Sequence, residues 1–537
     1  MNYKIIIYTT LLITISPLIH SKKLKHEYYK KRNLQKCYKE IKQCMKKPHQ
    51  YPAAKESFQT SCAKQPFTIG PSFGLSQTQY HTAPTIYNPG HMQRLLYKEA
   101  SKKQNPLRWL QKQKWYALTS LPAIHCKNCQ KKISFDNLNT LDETTQQHLL
   151  QNLADNMQDE AYTITQCPYC SSNNVTTKPQ SFPAFTPKHQ DALVKQVQNL
   201  NVFKQLDNKE QLPVCRISLE ISDLLKEGSD QIDYQKLANI SKLLKKLKNP
   251  LVFIHHSTNP VVKPYLFDNK EDIDWFAHLC QEIIKACPTI THVCPINQPM
   301  SFALRVPRSM QPPFSTSLQR YEYINNLAEA QKQATLAMKK VRPNIKVLVS
   351  HQWKPFSSKH GFFDYRYILE KVASSIAHKM YNHRFIKTFQ DQKDLFDGIA
   401  LSIYPRLHCD GKTIVGDNCS GIIDPIATIN IVMQVHETYP DKPIYIVETG
   451  CNSTDPEHKK SFVDMTLHVC RIAHDMNIPV KTCFFWGLTN DMNFYREWNK
   501  APGSTNFGFY ETLNPDNPIS SINPYGNYLK SVISSAY

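Results

Sequence analysis

The chain has 537 residues, of which 41% are hydrophobic, 11% aromatic and 20% charged, with 14 Gly against 35 Pro. That length exceeds one small domain and suits one large domain with extensions, and 27 Tyr with 24 Phe exclude a mainly disordered or fibrous chain. Lys and Arg number 65 against 44 Asp and Glu, a formal charge of +21, and residues 22–64 alone hold 13 Lys/Arg and 3 Asp/Glu. The remainder is only moderately basic, so no nucleic-acid partner is expected.

Residues 1–21 carry Lys4, then an apolar run Ile5–Ile19, with Lys22-Lys23 following. The run falls short of the roughly 20 residues a bilayer span needs and fits a signal peptide. The chain is therefore expected to be exported (periplasmic, secreted or membrane-anchored). A retained anchor is the other reading, because Ile19 sits where a cleavage site favours a small residue. Further on, Leu34, Cys37, Tyr38, Ile41, Cys44 and Met45 recur at helical spacing, which predicts a basic helical arm within 22–64. The arm reads either as packed on the main domain with a solvated basic face or as a contact for an anionic membrane surface.

After a first expected strand, Phe67–Gly70, come two CxxC pairs: Cys126 with Cys129, and Cys167 with Cys170, separated by 37 residues. Four thiolates on two tight turns make a tetrahedral set suited to zinc. This predicts a zinc-ribbon-like insertion over about residues 101–180, with a polar helical stretch, Leu141–Met157, looped out inside it. Two disulfides or redox pairs are the other reading, which export would favour. No His or carboxylate with an open ligand position accompanies the pairs, so the metal is read as structural and no cofactor is expected for catalysis. Cys280, Cys287 and Cys294 read as buried thiols.

The remaining expected strands are Val214–Leu219, Leu251–His256, Thr291–Ile296, Lys346–His351, Gly398–Ile403, Ile444–Glu448 and Thr482–Trp486. Helical patterns alternate with them: Lys188–Leu200, Tyr234–Leu247, Ile273–Ala286, Tyr323–Val341, Tyr365–Tyr381, Pro425–His436 and Glu457–Met476. Such alternation predicts an α/β chain, a (β/α)8 TIM barrel over residues 65–537 with the insertion after its first strand and the basic extension before it. A doubly wound sheet is the rival, but Gly70-Pro71-Ser72-Phe73-Gly74 lacks the phosphate-loop fingerprint. In a barrel the chemistry belongs at the carboxyl ends of strands. Those ends offer Gln77, Arg216, His255-His256, Asn297-Gln298, Tyr404, Glu448 and Trp486. One carboxylate, several amide and imidazole hydrogen-bonders and flat rings suit a sugar.

From Phe67 to about Tyr528 the chain resembles the family 1 glycoside hydrolases, retaining β-glycosidases of the (β/α)8 type. The segments FTIGPSFGLSQTQY, RISLEISD, FIHHSTNP, DGIALSIY, YIVETG, FFWGLTNDMNF and NFGFYE carry the likeness. It implies Glu448 as nucleophile, Tyr404 touching it, and Asn297 orienting nucleophile and substrate. Gln77, Arg216, His256, Trp486 and Asn493 fall at substrate-binding positions, Asn493 where the family has a glutamate. Ile221, Ser257 and Phe494 replace tryptophans, and Ser402 stands at a usual asparagine. The acid/base glutamate of Asn-Glu-Pro is here Gln298, in Asn297-Gln298-Pro299. Plant thioglucosidases of the family work with glutamine there, and other members lacking the glutamate are binding proteins. Two functions are therefore implied: a glycosidase acting on a carbohydrate or glycoside, or a carbohydrate-binding or interaction protein on the same scaffold.

Overall fold

A computed structural model describes residues 67–74, 101–102, 124–126, 132–133, 142–156, 175–176, 187–207, 211–219, 221–226, 230–255, 267, 269–300, 303, 317–354, 356–358, 366–404, 407–409, 414–416, 424–489, 507–510 and 521–536. Among these, eight parallel strands close a barrel in chain order: β1 (Thr68–Gly74), β2 (Cys215–Ser218), β3 (Pro250–His255), β4 (His292–Ile296), β5 (Lys346–Trp353), β6 (Gly398–Ile403), β7 (Ile444–Thr449) and β8 (Val480–Trp486). Helix α1 (Pro187–Asn199) precedes β2. The principal helices after the later strands are α2 (Tyr234–Lys246), α3 (Lys270–Ala286), α4 (Ser317–Val341), α5 (Arg366–His378), α6 (Pro425–Thr438), α7 (Pro456–Asp475) and α8 (Pro524–Ala536).

The helices begin where capping chemistry dictates. Asp233 accepts hydrogen bonds from the amides of Gln235 and Lys236 at the start of α2, and Asn269 caps α3 in the same way. Asp424-Pro425 and Asp455-Pro456 open α6 and α7, the Asp accepting orphan amides while Pro occupies a position whose amide would have no partner. Inside the barrel Leu251, Phe253, Cys294, Leu348, Ala400, Tyr445, Val447 and Phe484 form one buried cluster. Cys280, Cys287 and Cys294 are free, buried thiols, as their apolar surroundings predict.

The expected first strand ends at Gly70, and Pro71, next in the chain, has no amide hydrogen for a ladder. The strand instead runs on to Gly74, since barrel closure supplies partners on both sides: Ser72 pairs with Trp486 of β8 and with Arg216 of β2. Helix α5 likewise departs from a plain helix, passing through a π turn, Lys379–His383, into the helix Arg384–Gln390.

Between β1 and β2 lies a three-stranded antiparallel sheet of Ile124–Cys126, Lys132–Ile133 and Val175–Thr176, with Ile124–Cys126 in the middle and Cys126 opposite Val175. Helix Glu143–Asn156 lies in the same stretch of chain, where a polar helix is expected. Cys129, Cys167 and Cys170, the side chain of Cys126, the apolar run at 1–21 and the basic arm at 22–64 lie outside the described residues. A second small sheet is formed by Phe356–Ser358, Leu407–Cys409 and Ile414–Gly416, from the chain beyond β5 and β6.

Gly70 marks the tightest approach in the barrel wall: a Cβ there would lie 2.1 Å from the carbonyl oxygen of Val214. Backbone cannot retreat as a flexible side chain can. Gly70→Ala should therefore cost about 1–3 kcal/mol or more, the range of core overpacking, in urea unfolding. An unchanged unfolding midpoint would contradict the described β1–β2 contact.

Candidate active site

Glu448 stands at the carboxyl end of β7, where the ladder is irregular on both sides. Leu401 pairs with Ile446 but Ser402 pairs with Glu448, and the β7–β8 register shifts between Ile446 and Thr449. Strand side chains alternate between faces, yet Val447 belongs to the barrel's interior cluster while Glu448 meets Arg216, which itself lies over Phe253 of that cluster. One extra residue in β7 resolves the conflict: the bulge turns two consecutive side chains to the same interior side.

Around this carboxylate the expected site residues converge. Arg216 Nη2 lies 2.8 Å from Glu448 Oε1, with side-chain exposures of 0% and 5%. Tyr404 donates its hydroxyl to Glu448 Oε2 at 3.1 Å, and Gln298 donates Nε2 to the same oxygen at 3.0 Å. Arg216 also donates to Asn297 Oδ1 at 3.3 Å and to Ser72 Oγ at 3.4 Å. Its guanidinium carbon lies 4.2 Å from the Phe253 ring centre and 5.4 Å from that of Trp486. Six expected residues, Glu448, Gln298, Tyr404, Asn297, Arg216 and Trp486, thus share one cluster. Gln77, His256 and Asn493 lie outside the described residues.

Gln298 is held under strain. Its φ of 45° is in the left-handed region, unusual for a non-glycine residue and doubly so before Pro299. Such a conformation costs about 1–3 kcal/mol and persists only when its surroundings over-determine it. Here the amide of Asn297 donates to the carbonyl of His255 at 2.8 Å, and the amide of Gln298 donates to Ser350 Oγ at 3.2 Å.

Burial pushes the Glu448 carboxyl above its ordinary value of 4.5, while Arg216, Tyr404 and Gln298 pull the other way. The strand histidines His255 and His351 have aromatic neighbours of their own. His255 faces Phe267 and Phe276 with ring centres at 5.2 and 6.2 Å, and burial lowers it to about 3. His351 stacks on Phe385 at 4.1 Å and bonds Asn382 of the π turn at 3.0 Å; it too is lowered to about 3.

Sequence reasoning missed Ser72, Ser350 and Phe253, because a small hydroxyl or a phenyl ring inside a strand carries no functional signal. It also missed Phe507, whose ring centre lies 6.4 Å from that of Tyr404 and whose edge would meet a Cβ at Gly450 at 2.9 Å.

The Arg216–Glu448 pair predicts a pH-dependent stability. Glu448 titrates higher in the fold than in the unfolded chain, so ionising it costs stability as pH rises through the interval above 4.5. Arg216 offsets that cost. Arg216→Met should lower stability by about 3–5 kcal/mol at neutral pH, and the deficit should shrink below the unfolded carboxyl value, where Glu448 is protonated in both proteins. Urea unfolding across pH measures this; a deficit that grew on acidification would contradict the pairing.

No family model matches the sequence, and no curated protein matches it. Solved structures share its fold. A family 1 β-glucosidase from Thermotoga maritima, in complex with isofagomine lactam, gives a TM-score of 0.51 at 16% identity, covering 65% of this chain and 87% of its own. The β-glycosidase BGL167 gives 0.53 at 15% identity, covering 66% and 88%. The AHE enzyme from Alicyclobacillus herbarius gives 0.51 at 14% identity, covering 64% and 87%. The chain has the closed (β/α)8 barrel fold of the family 1 β-glucosidases.

Proposed function

We propose that the chain is a family 1 glycoside hydrolase-like protein that hydrolyses or transfers β-O-glycosides by a retaining mechanism, with Glu448 as nucleophile and Gln298 in place of the acid/base. The observation that carries this reading is a buried carboxylate at the end of β7, bonded by Arg216 and Tyr404 and faced by an amide instead of a second carboxyl. Glucosidases of this fold are found with isofagomine lactam, glucoimidazole and deoxynojirimycin, which supports a carbohydrate or glycoside as ligand.

In this mechanism an ionised Glu448 oxygen bonds to the anomeric carbon while the bond to the aglycone breaks, its electron pair leaving with the aglycone. Gln298 can orient by hydrogen bonding but has no proton to deliver, so the reaction forgoes the ~10²–10⁴-fold that general acid–base catalysis contributes. The aglycone must therefore be stable as an anion. In the second step an acceptor attacks the same carbon and Glu448 departs as carboxylate, stabilised by Arg216 and Tyr404. Asn297 orients nucleophile and substrate, Trp486 offers a flat apolar face to the sugar, and Gln77, His256 and Asn493 hold hydroxyls.

A carbohydrate-binding protein on the same scaffold is the second reading, and one observation favours it. Retaining pairs stand about 5–5.5 Å apart, whereas Gln298 Nε2 closes on Glu448 Oε2 at 3.0 Å and occupies the nucleophile. Turnover separates the two readings. Dinitrophenyl β-glycosides should be cleaved slowly and alkyl glycosides scarcely at all, with azide accelerating the former. Gln298→Glu, its carboxyl raised by the neighbouring Glu448 charge, should bring activity on alkyl glycosides. Binding of sugars without turnover by either protein would favour the second reading.

We also propose that Cys126, Cys129, Cys167 and Cys170 hold one structural zinc; the backbone pairing of Cys126 with Val175, a residue five positions after Cys170 in the sequence, supports this reading. The donor set of four thiolates fits that metal. Export or membrane retention through Ile5–Ile19 remains part of the same proposal. Purified protein should contain about one zinc per chain, lost in Cys126→Ser together with protease resistance of residues 101–180. Metal-free protein with two disulfides would contradict the zinc reading.

A further inference from the structure

Helix α5 and the π turn after it carry a line of aliphatic side chains that the barrel leaves in solvent. Leu369, Val372, Ile376 and Met380 are 63, 51, 52 and 68% exposed. Steps of three, four and four residues keep them on one helix face. The other side of the same helix is the packed one, since Glu370, Ser374 and Tyr381 are buried. Exposed apolar residues scattered singly need no explanation, but a contiguous line marks a contact surface.

The charges beside the line say what kind of contact. Lys371, Lys379 and Lys387 are exposed along the same helical segment, while its one acidic residue between 366 and 390, Glu370, is 1% exposed. Among the described residues the outward face of this segment is apolar and cationic, and at its far end Lys387 borders a groove it shares with Glu329 and Asp391. A second copy of the chain would bring the same lysines, and the arm at 22–64 would bring 13 Lys/Arg against 3 Asp/Glu; both are like-charged. The line is also wholly aliphatic and stands outward on a single helix, without the aromatic anchors that concentrate energy in protein interfaces.

We propose that this face is an in-plane contact for an anionic lipid bilayer. Leu369, Val372, Ile376 and Met380 enter the boundary between headgroups and acyl chains, and Lys379 and Lys387 meet lipid anions. This contact belongs to the barrel and is separate from the basic arm.

The test is co-sedimentation of the full chain with vesicles of phosphatidylcholine alone or mixed with phosphatidylserine. Wild type should bind the mixed vesicles preferentially. The triple variant Leu369→Gln, Ile376→Gln, Met380→Gln, with its arm intact, should bind them about tenfold less or worse. Lys379→Glu with Lys387→Glu should weaken binding and flatten its salt dependence. All these residues are exposed, so thermal unfolding should be unchanged and loss of binding is not loss of fold. Equal binding by the triple variant would assign the affinity to the arm and overturn the proposal. Absence of binding by wild type would also overturn it, leaving an acidic protein as the chemistry this face suits.

Discussion

Arg216 and Glu448 are withdrawn from water together, and much of the barrel's upper end is arranged around that fact. Taking either charge from water costs several kcal/mol, which only close pairing and well-placed hydrogen bonds can offset. The pair is 2.8 Å apart, and the remaining guanidinium donors are answered in part by Asn297 and Ser72 while its face rests on Phe253. Strands β1, β2, β3, β4 and β7 thereby meet at one cation. Even so, burial outweighs the arginine, and the Glu448 carboxyl stays above its ordinary value. A carboxylate kept reluctant to ionise and aimed inward by a bulge is a costly feature, of the kind found where a fold serves chemistry rather than stability.

Gln298 shows the same trade from the other side. Its backbone is left-handed before a proline, and two hydrogen bonds from the Asn297–Gln298 backbone, to His255 and Ser350, hold it there. That geometry presents the side chain to Glu448. With an amide at its end, the arrangement can steady the carboxylate and orient a bound group but can neither give nor take a proton. Under the proposed mechanism, an amide at this place would restrict reaction to aglycones that leave unaided.

Much of the barrel was legible in the sequence. Strands such as Gly398–Ile403 and Ile444–Thr449 are short apolar runs bounded by Asp, Pro or Gly, and their helices open on Asp-Pro caps. Glu448, Gln298, Tyr404 and Asn297 were readable through their positions at strand ends. What was not legible depends on tertiary context. Pro71 looks like a strand end, and only closure onto Trp486 and Arg216 carries β1 past it. The bulge at Val447 leaves no mark in YIVETG, and the π turn at Lys379–His383 none in its helical pattern. Ser72 and Ser350 matter because of what lies opposite them, which no local pattern records.

The proposed nucleophilic role of Glu448 can be read from the intact mass of the protein after incubation with dinitrophenyl 2-deoxy-2-fluoro-β-glycosides of several sugar epimers. The fluorine slows both steps while the activated aglycone still permits the first, so the covalent glycosyl-enzyme accumulates. If Glu448 is the nucleophile, the mass should increase by one fluoroglycosyl group, mapped by peptide sequencing to Glu448 and absent in Glu448→Gln. Unmodified protein with every epimer, under conditions where the parent sugars bind, would contradict that role.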